Sequence, residues 1–244
     1  MEKRRKIRVG RIKYIGGKTI EPTYQDFTPI VVLTKSSPYG ELGPYVLKDE
    51  NGIIMENKWQ FSKVYPWVPK TIQKYSRWDS TVIWDYPQEV HINDQNEPNS
   101  DYWKWRSLGL NCKYAVRYPV GKGKHRGTCL YALKEKDGKK LDYIEARKEI
   151  YLSEYCSLVK KQPKFHKLKQ RLDESENLLI IEVDGPHQED LNYYKDRYNV
   201  KDDFIQNDSM EATKENIKLM LNDVKNPFGH GYCLATALLD LELD

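Results

Sequence analysis

Glu56, Trp59, Gln60 and Lys63 place a carboxylate, an indole, an amide and an ammonium at spacings i, i+3, i+4 and i+7. That spacing predicts one face of an α-helix over residues 56–65, stopped by Pro66 and Pro69. A helix burying only a core face would carry Leu or Val at those four positions. Reactive groups beside a Trp describe the wall of a pocket instead. One chemistry such a set could serve is glycosidic. Breaking a C1′–N bond passes through an oxocarbenium-like sugar, which needs a carboxylate beside C1′ and a donor for the departing base. Glu56 is the first candidate for that carboxylate. Asp184, ending an apolar strand pattern just before Gly185, Pro186 and His187, is the second, and Asp223 the third. Lys63 would fix a phosphate or orient Glu56, and Trp59 or Tyr39 would stack on a base.

Each of these residues also has a plainer reading. Glu56 is equally a favourable charge at a helix N-terminus, worth about 0.3–1 kcal/mol. Trp59 is a core residue, Lys63 a solvated one, and Asp184 part of a strand-ending turn. His187 and His230 have no carboxylate or Cys at ligand spacing, so structural or substrate-contact roles are expected and no metal site is. Gly229 and Gly231, either side of His230, would open a helix whose N-terminus suits phosphate.

The elements that must position these groups read as a mixture. Residues 29–34 and 177–184 are apolar, β-branched strand patterns. Residues 45–48 and 52–55 predict two strands around an Asp49-Glu-Asn-Gly52 turn. Residues 101–109 predict a short helix closed by Gly109. Residues 112–120 and 127–133 predict strands around a basic loop. Helices are expected over 141–159, 163–172, 210–221 and 233–241. This is the pattern of one mixed α+β domain, 1–244: a small central sheet surrounded by helices, a basic arm at 1–28, and a Trp/Tyr-rich basic insert at 76–126.

Composition sets the limits. The chain has 244 residues, is 39% hydrophobic and 31% charged, and carries 18 Tyr and 6 Trp, which is too aromatic for a disordered chain. No apolar run is long enough to span a membrane, and the N-terminus lacks the apolar core of a secretory signal. Four dispersed cysteines form no CxxC pair, so zinc and disulfides are not expected and a reducing cytosol is. The net charge of +4 is uneven, with seven Lys or Arg against one Glu in the first 13 residues. Arg4, Arg5 and Lys6 there, and Arg117, Lys122, Lys124 and Arg126 in the loop, are candidates for phosphate contact.

Several segments taken together resemble the NADAR family of N-glycosidases, which act on ADP-ribose-like and riboflavin-pathway substrates. The carriers are Ser37-Pro-Tyr-Gly-Glu-Leu-Gly-Pro44, then Glu56, Gln60 and Lys63. Pro163-Lys-Phe-His-Lys-Leu168 leading to Asn177-Leu-Leu-Ile-Ile-Glu-Val183 follows, and last come Asp223 and Phe228-Gly-His-Gly231. The resemblance spans residues 35–65 and 145–240. Glu41 stands where the family has Asn, and Gly43 where it has Tyr. The resemblance implies a cofactor-free N-glycosidase with substrate contacts at Tyr39, Glu41, Gly229 and His230. The basic clusters and aromatic insert suit a DNA form of that chemistry, excising a modified base in phage–host conflict. Two other classes remain open: a nucleic-acid-binding module without catalysis, and an ADP-ribosyltransferase-like enzyme.

Overall fold

The computed structural model describes residues 5–136 and 138–243. The chain is α+β, as its sequence pattern predicts, and divides into two compact units. One unit joins Met1–Gly43 to Tyr155–Asp244, and the other is Pro44–Glu154.

The discontinuous unit is built on a four-stranded sheet ordered Ser209–Glu211, Ile7–Arg11, Leu178–Glu182, Thr28–Val31. Leu178–Glu182 pairs in parallel with both neighbours, and Ser209–Glu211 closes one edge antiparallel. All five residues of Leu178–Glu182 are buried, which is why a run of Leu and Ile with no polar alternation works there. Helix His230–Leu238, buried along its whole length, packs on the two central strands. Helix Pro163–Asp173 packs on that helix and on the Gly40–Leu42 turn.

Within the basic arm expected over 1–28, Ile7–Arg11 is a strand of the sheet. Ile7 and Val9 are core residues of a central strand, and Arg8 is buried with them, bonded to the Ser209 hydroxyl and carbonyl. The helix expected over 210–221 begins instead at Lys214, capped by Thr213, because Met210 is needed in the sheet opposite Val9.

The Pro44–Glu154 unit has small sheets and an aromatic core. Lys63–Val64 pairs with Tyr131–Leu133, which pairs with Lys140–Leu141, and a hairpin joins Thr71–Lys74 to Val82–Tyr86. Phe61, Tyr65, Trp84, Tyr86, Tyr102 and Trp105 pack together as one cluster. Gly109 does not close its helix, which runs Ser100–Leu110. It lies against Phe61, where a Cβ would sit 2.2 Å from ring atoms. The two strands expected around Asp49–Gly52 shrink to a single Lys48–Ile54 bridge. Asp49 ties the turn down by accepting from the N–H groups of Asn51 and Ile53, and the next helix starts at once at Met55. Residues 112–120 form no strand; Asn57 binds the carbonyls of Cys112 and Tyr114 and the Val116 N–H, holding them as a loop. The helix expected over 141–159 is interrupted by a π-helical stretch at Arg147–Leu152.

Candidate active site

The helix bearing Glu56, Trp59 and Gln60 runs Met55–Phe61, and Lys63 lies beyond it in the Lys63–Val64 strand. The expected side-chain cluster nevertheless forms. Glu56 is 6% exposed. Its Oε1 accepts from Gln60 Nε2 at 2.9 Å, and Gln60 Oε1 accepts from Lys63 Nζ at 3.1 Å. The Lys63 ammonium also lies 4.4 Å from the centre of the Trp59 ring. Trp59 in turn rests on Tyr151, with ring centres 5.1 Å apart. Desolvation lowers the Lys63 pKa from 10.5 to about 8, against the opposing pull of the Glu56 charge.

Arg117 belongs to this cluster more than to the free loop. Its guanidinium lies 4.6 Å from the Tyr45 ring centre and 5.4 Å from that of Tyr118. Burial alone would lower its pKa, but Tyr45, Tyr118 and Glu56 raise it on balance. The result is one carboxylate, two cations and three aromatic rings, half-buried except for Glu56 itself. Such a set can hold a phosphate, stack a planar base and stabilise a cationic sugar. Lys122 sits 4.7 Å over Tyr118, and Lys124 and Arg126 are exposed on the Lys124–Thr128 turn, so the basic loop remains available.

The remaining candidates fall in the discontinuous unit. Asp223 is fully buried and saturated. Its Oδ1 accepts from Tyr193 (2.5 Å) and Tyr198 (3.0 Å), and its Oδ2 from Tyr194 (3.2 Å) and Asn226 (3.0 Å). Burial pushes its pKa up, but these donors outweigh burial and hold it below the usual value. Asp223 therefore fastens the Leu191–Tyr198 helix to the segment after Asn222, and the catalytic role expected of it does not fit. Asp184 lies beyond the end of its strand and is exposed. His187 caps a turn, its Nδ1 accepting from the Glu189 N–H at 3.3 Å. Tyr39 accepts from Arg171 at 2.6 Å, and Glu41 pairs with Lys164 at 3.1 Å. Arg5 and Lys6 are paired with Asp173 and Glu211, which blunts them as phosphate contacts; Arg4 lies outside the described residues.

Gly229 and His230 serve a group that sequence reasoning passed over, Glu182. This carboxyl is 1% exposed and lies at the N-terminus of helix His230–Leu238. A Cβ on Gly229 would come within 2.2 Å of its Oε2, and one on Gly231 within 2.7 Å of its Oε1. His230 Nε2 must donate, since its partner is the Val32 carbonyl at 2.6 Å. That leaves His230 Nδ1 facing Glu182 Oε2 at 3.4 Å. Burial, then the charge of Asp184, push the Glu182 pKa up to about 8, although the Gly231 and Tyr232 N–H groups oppose this. A carboxyl that is protonated near neutral pH suits the lone pair of Nδ1. The available signal was an acid ending an otherwise wholly apolar strand.

Among the described residues no cluster of His, Cys, Asp or Glu has metal-binding geometry, and no helix is long and apolar enough to cross a membrane. Comparison with protein-family models, with curated proteins and with solved structures found no match for this chain.

Proposed function

We propose that the chain is an N-glycosidase that cleaves the C1′–N bond of a nucleotide, free or within nucleic acid, with Glu56 and Lys63 carrying the chemistry. The observation that supports this most is the hydrogen-bonded run from buried Glu56 through Gln60 to half-buried Lys63, whose ammonium has a pKa of about 8. In the reaction Glu56 faces the cationic C1′ and accepts a proton from the attacking water. The C1′–N bond breaks with its electron pair leaving on the base nitrogen, which takes a proton from Lys63. The water oxygen stays on C1′, and the proton on Glu56 returns to Lys63 through solvent. The products are a free base and a sugar with a hydroxyl at C1′. A positioned acid or base with a pKa near the working pH is worth about 10²–10⁴-fold. Arg117 supplies charge for a phosphate, and Trp59 and Tyr45 supply ring faces for the base. The NADAR resemblance, which runs through Glu56, Gln60 and Lys63, supports the same bond and the absence of a cofactor.

The test is base release. Wild-type and Glu56→Gln protein are incubated with plain, ADP-ribosylated, hydroxymethyl- and glucosyl-modified DNA and with free ADP-ribose adducts, and released base is scored by mass spectrometry. Release by the wild type and a loss of about hundredfold or more in the variant is the expected result. Equal release by both removes Glu56 from the mechanism, and no release from any substrate favours a binding module without catalysis.

A further inference from the structure

Among the described residues Trp78 is the most exposed large apolar side chain, at 82%, and nothing in the glycosidase reading uses it. Its setting differs from that of the other tryptophans in the aromatic insert. Trp84 and Trp105 are core residues, and Trp103 packs against the same cluster. Trp78 instead stands at the turn that joins Thr71–Lys74 to Val82–Tyr86.

A single exposed Trp is ordinary on a protein surface. This one is on a braced turn. Ser76 Oγ accepts from the N–H groups of Trp78 at 3.1 Å and Asp79 at 3.0 Å. Asp79 Oδ1 accepts from the Thr81 N–H at 2.9 Å, and the Tyr75 N–H donates to the Thr81 carbonyl at 2.8 Å. The indole is therefore presented by a backbone that is already ordered, so little further ordering is needed on binding. Its surroundings are cationic. The Arg77 guanidinium lies 4.1 Å from the Trp78 ring centre, and Lys74 is exposed at the end of the first strand.

An anionic lipid surface would also meet Asp79 and Asp85 on this face, which disfavours it. Discrete phosphates can reach Lys74 and Arg77 one at a time. A flat indole between such cations fits a stack of bases. We propose that Trp78 is a wedge that enters the base stack of double-stranded DNA, with Lys74 and Arg77 on the flanking phosphates. The purpose of the wedge rests on the glycosidase reading, since C1′ chemistry on a paired nucleotide requires it to be unstacked.

Binding is read at equilibrium on Glu56→Gln protein, so no turnover is needed. The probe is a DNA duplex containing 2-aminopurine, whose emission rises when its neighbours no longer stack on it. The parent protein should bind the duplex and raise the emission. Adding Trp78→Ala should weaken binding roughly tenfold to a hundredfold and leave the probe dark. Replacing Lys74 and Arg77 by Ala should lower the slope of log affinity against log salt by about one per cation. Equal emission and affinity without Trp78, preference for single strands, or binding of phosphatidylserine vesicles in place of duplex each overturns the wedge. A duplex that is bound and unstacked through Trp78, yet never loses a base to the wild-type enzyme, sinks the glycosidase reading and leaves the wedge standing.

Discussion

Glu56 and Asp223 are both buried carboxylates, and the two regions that hold them use that burial differently. Asp223 is fully enclosed, and phenol, amide and backbone donors occupy both of its oxygens. These donors are neutral groups, with Arg197 within electrostatic reach. Glu56 is nearly as buried but faces charge: Gln60 links it to an ammonium of lowered pKa, and Arg117 lies within electrostatic reach. A saturated acid fastens the fold, whereas an acid set among half-buried cations and rings is arranged for a reaction.

Equal effects of the two substitutions would erase that difference. Glu56→Gln should lower single-turnover base release by about 10²–10⁴-fold while leaving the urea midpoint unchanged. Asp223→Ala should do the reverse. Three tyrosine hydroxyls and an amide would lose a charged acceptor, at a cost of about 3 kcal/mol in urea unfolding, with release per folded molecule unaltered.

Glu182 sharpens the contrast through pH. Its folded-state pKa of about 8 stands above the ordinary 4.5. The native protein thus keeps a proton that the unfolded chain gives up across that interval, so Glu182 makes stability fall as pH rises from about 4.5 to 8. Glu182→Gln should flatten that slope in urea titrations from acid to mildly alkaline pH. A slope that is the same in both proteins would mean that Glu182 is ionised when folded.

The smallest effect belongs to Lys63. Its acid form is present below its pKa of about 8, so release should decline as pH rises through that value. Arg does not titrate there, so Lys63→Arg should be slower but lack that limb in a pH–rate profile.

Much of this was legible in the residues. Helical spacing brought Glu56, Trp59 and Gln60 together, and the reach of a lysine side chain kept Lys63 with them although the helix stops at Phe61. The Leu178–Glu182 strand was legible because a doubly covered strand needs continuous apolar character. Arg117 and Tyr45 were not legible as neighbours, because their contact depends on a loop held by Asn57, far from either in sequence. Asp223 misled because an isolated Asp looks alike whether it meets substrate or three tyrosines. Glu182 was passed over for Asp184, two residues on, since sequence alone does not show that the strand ends at the first acid and leaves the second in water. The basic N-terminus read as an arm because Lys and Arg dominate its composition, while alternate Ile7 and Val9 carry it into the sheet.

The most direct measurement is to run base release in heavy-oxygen water and weigh both products at times short against solvent exchange of the C1′ hydroxyl, with the unlabelled sugar product alone as the exchange control. Cleavage by water at C1′ predicts an unlabelled free base and a sugar product carrying one heavy oxygen. Label on the base, or a sugar product without it, would contradict hydrolysis of the C1′–N bond.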